Sequence, residues 1–296
     1  MRENYALGLT GYPLHHSLSP RIHAAALRDQ GLQGDYRLYP AEETADLQEL
    51  LNRMRSGSLH GLNVTIPHKG SILSLLDVLT PTARVVGAVN TIFCREGQLV
   101  GDNTDMAGFL ADLDRLGWSQ SKDQPQEALV LGSGGSARAV VAALSQSGWR
   151  VTIAARRREQ AQALVETIQV SKRDAVPPGE RNELTAIQLD LASLSDMYPT
   201  PGLIINTTPL GMYPHQDASP WPKDLFFPPG AAVYDLVYYP AETILMRAAQ
   251  EGGLPVANGL GMLVEQAAFA FEIWTGLAAP REIMYQSVQE FYIGER

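Results

Sequence analysis

The sequence predicts an α/β protein of two domains, the first a three-layer α/β arrangement, with a cleft between the two. Three observations predict it. Short apolar runs alternate with stretches of helical periodicity along the chain, as strands and helices do in a mostly parallel layer. The chain has 296 residues, and at about 150 residues per domain that length suggests two. A polar stretch at 119–126, containing Pro125, offers a linker.

In chain order, residues 5–10 read as a short apolar strand ending at Gly11. A helix over 20–30 follows, with Ser19 as its cap and Pro20 at its first position. Residues 35–39 alternate and read as a strand, 44–54 as a helix, and 59–66 as a strand that Pro67 cuts off. A helix is expected over 71–79, then a strand over 85–94, with 98–100 returning across a Glu96-Gly97 turn. A helix over 106–116 leads to the linker. Beyond it, 128–131 is a buried strand, 136–147 a helix, 150–154 a strand and 159–168 a helix. The polar segment 169–183, holding Pro177-Pro178-Gly179, is expected to be an exposed insertion. Core strands follow at 203–206 and 232–236, a helix at 243–251, and closing helices at 262–275 and 281–292. The expected domains are 1–105, completed by the helices of 262–296, and 106–261.

The apolar fraction of 45% is ample for a core. With 23 basic and 32 acidic residues the net charge is −9, which argues against nucleic acid as the main partner, because phosphate binding needs a basic face. Local basic pockets remain open. Cys94 is the only cysteine, so no intrachain disulfide forms, as suits a reducing compartment. It follows Ile92 and Phe93 and is expected to be buried packing. Met1-Arg2-Glu3-Asn4 carries an acid and no long apolar signal core, and no apolar run reaches the roughly 18 residues of a membrane span. The expectation is a cytoplasmic protein with no membrane partner. His15, His16, His23, His60, His68 and His215 lack metal-ligand spacing, so no metal is expected. Met262, Phe269 and Trp274 read as core or interface.

Ala128-Leu129-Val130-Leu131 runs into Gly132-Ser133-Gly134-Gly135-Ser136-Ala137. The G-x-G-x-x-A spacing directly follows a strand and opens a helix. Gly132 permits the tight turn, Gly134 lets backbone approach a pyrophosphate, and Ala137 allows close helix–strand packing. Free N–H groups at the helix start then face the anion. The second domain is therefore expected to be a Rossmann-like dinucleotide-binding fold. Its next strand runs into Arg156-Arg157-Arg158, where a fold binding NAD usually carries Asp or Glu. Guanidinium groups pair with a 2′-phosphate, and positive charge at a helix N-terminus opposes the macrodipole unless an anion joins it. The expected cofactor is NADP.

Two polar loops each follow an apolar run and carry the reactive groups. Gly61-Leu62-Asn63-Val64-Thr65-Ile66-Pro67-His68-Lys69 offers an ammonium, and Gly101-Asp102-Asn103-Thr104-Asp105 a carboxylate. Together they make a proton-transfer pair if the fold brings them together. In His16-Ser17-Leu18-Ser19-Pro20, two hydroxyls one residue apart sit before a helix N-terminus and could contact a ligand carboxylate. Helix capping is the alternative role for Ser19. Asn63 and Asn90 could bond only loop backbone, Asp105 could cap the helix at Met106, and Tyr238 could be packing. Gln266 lies inside an apolar helix, where a buried amide needs a partner.

The chain resembles the shikimate dehydrogenase family from its first strand to its last helices. Beyond the segments above, the matching ones are Gly87-Ala88-Val89-Asn90-Thr91, Asn206-Thr207-Thr208-Pro209-Leu210-Gly211-Met212, Tyr234-Asp235-Leu236-Val237-Tyr238, and Gly259-Leu260-Gly261-Met262-Leu263-Val264-Glu265-Gln266. The resemblance implies reversible NADPH-dependent reduction of 3-dehydroshikimate to shikimate in aromatic amino-acid biosynthesis. It implies that Ser17 and Ser19 bind the substrate carboxylate and that Thr65 belongs to the same pocket. Lys69 is implied as the acid–base residue, partnered by Asp105. Asn90, Asp105, Tyr238 and Gln266 are implied to hold ring hydroxyls. Gly132, Ser133, Gly134, Gly135 and Ser136 are implied to bind the dinucleotide phosphates, Arg156 and Arg157 the 2′-phosphate, and Leu236 and Gly259 to flank the nicotinamide. The family's common Asn-Arg-Thr appears here as Ala155-Arg156-Arg157, so the contacts flanking the arginine must differ. Two alternatives stay open: a quinate/shikimate dehydrogenase of broader substrate and cofactor use, and a non-catalytic metabolite-binding paralogue. The chain is expected to be a monomer or a homodimer.

Overall fold

In the computed structural model, which describes residues 4–119, 126–172, 183–197 and 200–294, the chain divides into two units. One is Met1–Ala111 with Gly261–Arg296, and the other is Asp112–Leu260.

The first unit is built on β1 (Asn4–Gly11), α1 (Ser19–Asp29), β2 (Gln33–Pro40), α2 (Thr44–Arg55) and β3 (Gly61–Val64). A 3-10 helix (Ser71–Leu75), β4 (Val78–Leu79), α3 (Pro81–Val86), β5 (Thr91–Arg95), β6 (Gln98–Asp102) and α4 (Asp105–Leu116) follow. The sheet order is β2-β1-β3-β5-β6-β4. β1 pairs in parallel with β2 and β3, and β5 runs antiparallel to β3 and β6. The period-2 alternation of the strands sorts side chains to two faces. Leu62, Val64 and Ile92 pack against Leu47, Leu50, Leu51 and Met54 of α2. Each such burial contributes roughly 1.5–3 kcal/mol. α2 starts with a reciprocal cap, in which Asp46 Oδ2 accepts from the Glu43 N–H at 3.1 Å.

The second unit contains β7 (Glu127–Leu131), α5 (Gly135–Gln146), β8 (Arg150–Ala155), α6 (Arg158–Lys172) and β9 (Leu184–Gln188). α7 (Leu191–Ser195), β10 (Leu203–Asn206), β11 (Ala232–Asp235), α8 (Ile244–Glu251) and β12 (Val256–Asn258) complete it. Its sheet order is β12-β11-β10-β7-β8-β9, and every pair is parallel. Strands covered on both faces read as continuous apolar runs, as Ala128-Leu129-Val130-Leu131 does. The strand order reverses between β7 and β10. In such sheets the ligand crevice lies at that switch point, beyond the carboxyl ends of the strands.

The chain then returns to the first unit through α9 (Leu260–Thr275) and α10 (Arg281–Gly294). Trp274 of α9 lies flat where a side chain at Gly61 would stand, and its Nε1–H donates to the Ile92 carbonyl at 3.1 Å. On this face of the sheet the Tyr36 ring stacks on His23 of α1, with centroids 4.3 Å apart and planes 4° apart. Helices therefore cover both faces, and the arrangement is three-layered.

Several expectations need correction. The stretch 85–94 is not one strand: α3 occupies its start and ends at Gly87 in the left-handed region (φ 65°), and β5 begins only at Thr91. The expected helix over 71–79 is a short 3-10 turn followed by β4. β9, α7 and β12 were not expected. Cys94 is exposed rather than buried, because it precedes the exposed turn at Glu96-Gly97, past the covered part of β5. Ser19 does not cap α1: Leu18 holds the cap position and makes no side-chain cap bond. Residues 120–125 of the expected linker lie outside the described residues. Of the expected insertion at 169–183, residues 169–172 continue α6 and 173–182 lie outside the described residues. Among the described residues no helix is long and apolar enough to cross a membrane.

Candidate functional site

Lys69 and Asp105, 36 positions apart in the chain, meet as an ion pair with Nζ and Oδ2 separated by 2.5 Å. Their side chains are only 13% and 6% exposed, so the pair is largely shielded from water, where such attraction is strongest. Local bonds fix both loops. Past β3, the Thr65 N–H donates to the Thr10 carbonyl at 2.9 Å and the His68 N–H to the Thr65 carbonyl at 2.9 Å. The His68 ring is anchored to the Ala41 carbonyl at 2.8 Å. The Lys69 carbonyl accepts from Val89 N–H at 2.8 Å, which ties the lysine loop to the approach to β5. Asp105 is the first residue of α4, where the helix dipole favours a carboxylate, and Asn103 Oδ1 accepts from Met106 N–H at 3.3 Å.

Asn90 links this pair to the rest of the cluster. Its Oδ1 accepts from the Thr104 N–H at 2.7 Å and from the Thr91 hydroxyl at 3.1 Å. Its amide nitrogen faces Asp105 Oδ1 at 2.8 Å, Thr104 Oγ1 at 3.0 Å and Gln266 Oε1 at 3.3 Å. An amide nitrogen carries two protons, so three acceptors oversubscribe it. The longest contact, to Gln266, leaves Oε1 the least satisfied and open to a ligand hydroxyl. Gln266 Nε2 is already committed to the Leu263 carbonyl at 2.7 Å. A side chain at Gly108 would stand 2.7 Å from the Gln266 backbone nitrogen, so the missing side chain of α4 is what lets α9 bring Gln266 to Asn90. Thr91 and Thr104 were quoted in motifs but given no role. Polar residues at the heads of buried segments were the available signal.

Ser17 and Ser19 lie at the start of α1. Ser17 Oγ accepts from the Ser19 N–H at 3.3 Å, which leaves its own proton free to donate. Ser19 is buried and Ser17 half-buried. Thr65 is half-buried, with its methyl against Gly11 (φ 150°), where an added Cβ would meet it. A helix N-terminus with two hydroxyls suits an anionic group.

The other predicted residues belong to the second unit. Gly132 follows β7 in a left-handed conformation (φ 113°), and a Cβ there would sit 2.6 Å from Thr207 Oγ1, past the end of β10. Thr207 Oγ1 donates to the Leu131 carbonyl at 2.7 Å, closing the switch point around the turn. Gly134 has open space beside it, and α5 begins at Gly135 without a side-chain cap. Ser133, Gly135 and Ser136 are half-buried. Uncapped N–H groups at this helix start, beside open space, fit a pyrophosphate. Arg156 and Arg157 are exposed just before α6, with the charge a 2′-phosphate requires. Arg158 is turned to the Ala186 carbonyl by its Nε–H, at 3.3 Å. Leu236 and Gly259 are brought together: a side chain on Gly259 would strike the Leu236 carbonyl. Tyr238 follows β11, half-buried, and loss of water pushes its phenol up to about 12. Beneath these loops Asp235 accepts from Asn206 Nδ2 at 2.9 Å, Val237 N–H at 3.0 Å and Thr243 Oγ1 at 2.7 Å. Among the described residues no group of three or more His, Cys, Asp or Glu is placed to hold a metal ion.

Two family profiles match the chain: a shikimate dehydrogenase substrate binding domain at residues 9–92, and a shikimate 5′-dehydrogenase C-terminal domain at 259–289. The NADP(+) shikimate dehydrogenase of Salinibacter ruber is 42% identical over 285 residues, covering 95% of each chain. That of Symbiobacterium thermophilum is 39% identical, covering 94% of this chain and 91% of the relative. The crystal structure of shikimate 5-dehydrogenase from Thermus thermophilus, in complex with NADP(H) and shikimate, matches with a TM-score of 0.81 at 35% identity, covering 97% of this chain and 99% of that one. The chain belongs to the shikimate dehydrogenase family.

Proposed function

We propose that this chain catalyses the reversible NADPH-dependent reduction of 3-dehydroshikimate to shikimate, a step of aromatic amino-acid biosynthesis, in the cytoplasm. The observation that carries the reading is the shielded Lys69–Asp105 pair, 2.5 Å apart and held by Asn90. Its partners are two small molecules rather than nucleic acid or membrane, and the chain acts as a monomer or homodimer. The substrate-binding domain is 1–105 with the helices of 262–296, and the NADP-binding domain is 106–261.

Ser17 and Ser19 bind the carboxylate at the start of α1, with Thr65 in the same pocket. Asn90, Asp105 and Gln266 take ring hydroxyls, and Tyr238 joins them on the family resemblance alone. Gly132, Ser133, Gly134, Gly135 and Ser136 cradle the dinucleotide phosphates, and Arg156 and Arg157 pair with the 2′-phosphate. Leu236 and Gly259 flank the nicotinamide. When bound, NADPH supplies a hydride to the carbonyl carbon of the substrate.

The protein's own part is the proton. As the ketone oxygen gains negative charge, the Lys69 ammonium stabilises it and transfers one proton to it, and in the reverse direction takes the proton back. Asp105 keeps the ammonium aimed and accepts from a neighbouring ring hydroxyl. General acid catalysis of this kind is worth roughly 10²–10⁴-fold in rate. The test is turnover of shikimate and quinate with NADP and NAD, on the wild type and on Lys69→Ala. Shikimate with NADP is the expected preferred pair. Lys69→Ala is expected to lose roughly 10²–10⁴ in kcat while shikimate still binds. Normal turnover in that variant removes Lys69 from the mechanism.

A further inference from the structure

We propose that Thr91 is a positioning residue: its hydroxyl holds the Asn90 amide in the orientation that keeps an N–H, not an oxygen, on Asp105. The proposal rests on the functional reading above in giving Asn90 and Asp105 to the substrate.

The backbone of Asn90 is pinned on both sides. Its N–H donates to the Asp102 carbonyl at 3.0 Å, and its carbonyl accepts from the Val64 N–H at 2.9 Å. The freedom that remains is a half-turn of the side-chain amide, which would exchange its nitrogen for its oxygen. After such a turn an oxygen would face Asp105 Oδ1, now 2.8 Å from the amide nitrogen, acceptor against acceptor. The Lys69 ammonium holds Oδ2 of that carboxylate and the Asn90 amide holds Oδ1, so the two together set its plane.

A one-way chain of protons opposes the half-turn. Asn63 Nδ2 faces the Asn90 carbonyl at 3.0 Å. A carbonyl only accepts, so this atom is a donor, and Asn63 Oδ1 is left to accept from the Tyr36 hydroxyl at 2.8 Å. The second proton of Asn63 Nδ2 goes to Thr91 Oγ1 at 3.0 Å. Asn63 of β3 and Thr91 of β5 stand directly opposite in antiparallel register, so the sheet itself sets this contact. Thr91 then has one proton of its own to give, and gives it to Asn90 Oδ1 at 3.1 Å. The other acceptor in reach, Thr104 Oγ1, lies 3.2 Å from Thr91 Oγ1 and 3.2 Å from Asn90 Oδ1. A proton sent that way has Thr104 donate to the same oxygen. The Thr104 N–H is a further donor to Asn90 Oδ1 at 2.7 Å. Thr104 belongs to the Asp105 loop and moves with it, whereas Thr91 belongs to β5 and ties the amide to the sheet. Thr91 is fully buried, so it acts through Asn90 rather than on a ligand.

The test uses two pairs of full-length chains that differ by a hydroxyl: wild type against Thr91→Val, and Thr91→Ser against Thr91→Ala. Steady-state kinetics give kcat/KM for shikimate and KM for NADP, and circular dichroism reports the fold. Thr91→Val is expected to lose roughly tenfold in kcat/KM for shikimate relative to wild type, and Thr91→Ala roughly tenfold relative to Thr91→Ser, with KM for NADP within about twofold in every chain. Shikimate Kd by calorimetry closes a cycle with Asn90→Ala. There Thr91→Val is expected to raise Kd about fivefold on its own and less than about twofold once Asn90 is replaced. A packing role would follow the methyl group instead, with Thr91→Val near wild type and both Thr91→Ser and Thr91→Ala low. That pattern, equal activity in all four chains, or effects that multiply in the cycle overturn the proposal. So does a fold that is lost whenever the hydroxyl is lost. If any of these comes with normal wild-type turnover of shikimate, this proposal fails alone. A wild-type chain that does not turn over shikimate overturns it together with the functional reading.

Discussion

His23 makes the first unit sensitive to acid. Its ring is 0% exposed, sandwiched against Tyr36 and 5.3 Å from the Trp274 ring. Among the described residues neither ring nitrogen has a hydrogen-bond partner. Burial pushes the imidazolium down from 6.5 to about 3. The unfolded chain therefore takes up a proton on this residue below about 6.5, while the folded one stays neutral until about 3. Between those values the unfolded state binds more protons, so stability is full above the window and is lost as pH falls through it. At pH 4.5 the loss corresponds to about two pK units at about 1.4 kcal/mol each, or about 3 kcal/mol. Against a typical folding stability of about 5–15 kcal/mol that is a large fraction. The perturbation is His23→Phe, which keeps a flat ring on Tyr36 and removes the titration. Relief of an unpartnered polar ring gains about 1–3 kcal/mol, and the larger ring costs a similar amount by overpacking. The quantity to read is therefore the change between pH 7 and pH 4.5, not the stability at either. Urea titrations followed by circular dichroism and tryptophan fluorescence should show wild type losing about 3 kcal/mol more than the variant over that interval. Equal losses would refute the reasoning.

Asp235 should act with the opposite sign. Burial raises its carboxyl from 3.8 to about 6, against the pull of three hydrogen-bond donors. The folded state then holds a proton the unfolded state has released, so stability falls as pH rises through that window, by up to about 3 kcal/mol. Asp235→Asn should flatten this part of the curve, and a Tm difference from wild type that stays constant between pH 4 and pH 7 would count against it. Gly108→Ala sets a methyl against the Gln266 backbone nitrogen, 2.7 Å away, which only a shift of α9 can relieve. Overpacking of this kind costs about 1–3 kcal/mol and should lengthen the Asn90–Gln266 contact. The expected readout is a roughly tenfold higher KM for shikimate with KM for NADPH unchanged, and an unchanged shikimate KM in steady-state kinetics would rule it out.

The proposed site residues can be picked out in the sequence because they stand where sequence is locally readable. Lys69, Asp105, Ser17 and Ser19 lie on polar loops or helix starts, and the Gly132 turn sits between a strand and a helix that the pattern already marks. Four of the six strands of the second unit's sheet, β7, β8, β10 and β11, follow from the same local alternation, and β9 and β12 do not. What escaped the sequence depends on contacts between distant segments. Asn90 and Gln266 are 176 positions apart, and nothing near Gly108 announces that α9 needs its missing side chain. Cys94 was misplaced because alternation gives the face of a strand but not how far the covering helices extend along it.

The buried polar residues that network with the proposed site share one signature that the pattern did contain. Asn63 interrupts the apolar run of β3, Tyr36 brings a hydroxyl into a buried position of β2, and Gln266 interrupts the apolar α9. Asn63 and Gln266 break the hydrophobic pattern of their own elements, and Tyr36 carries a polar tip on a buried apolar position. Burying an amide without partners costs about 1–3 kcal/mol, so such a break persists only where another buried polar group answers it. In the first unit the breaks answer one another: Tyr36 gives its proton to Asn63, Asn63 gives both of its protons to the Asn90 carbonyl and Thr91, and Asn90 reaches Asp105 and Gln266. In the proposed function the chemistry is carried by loops, and its aim is set by buried polar groups in the core pattern.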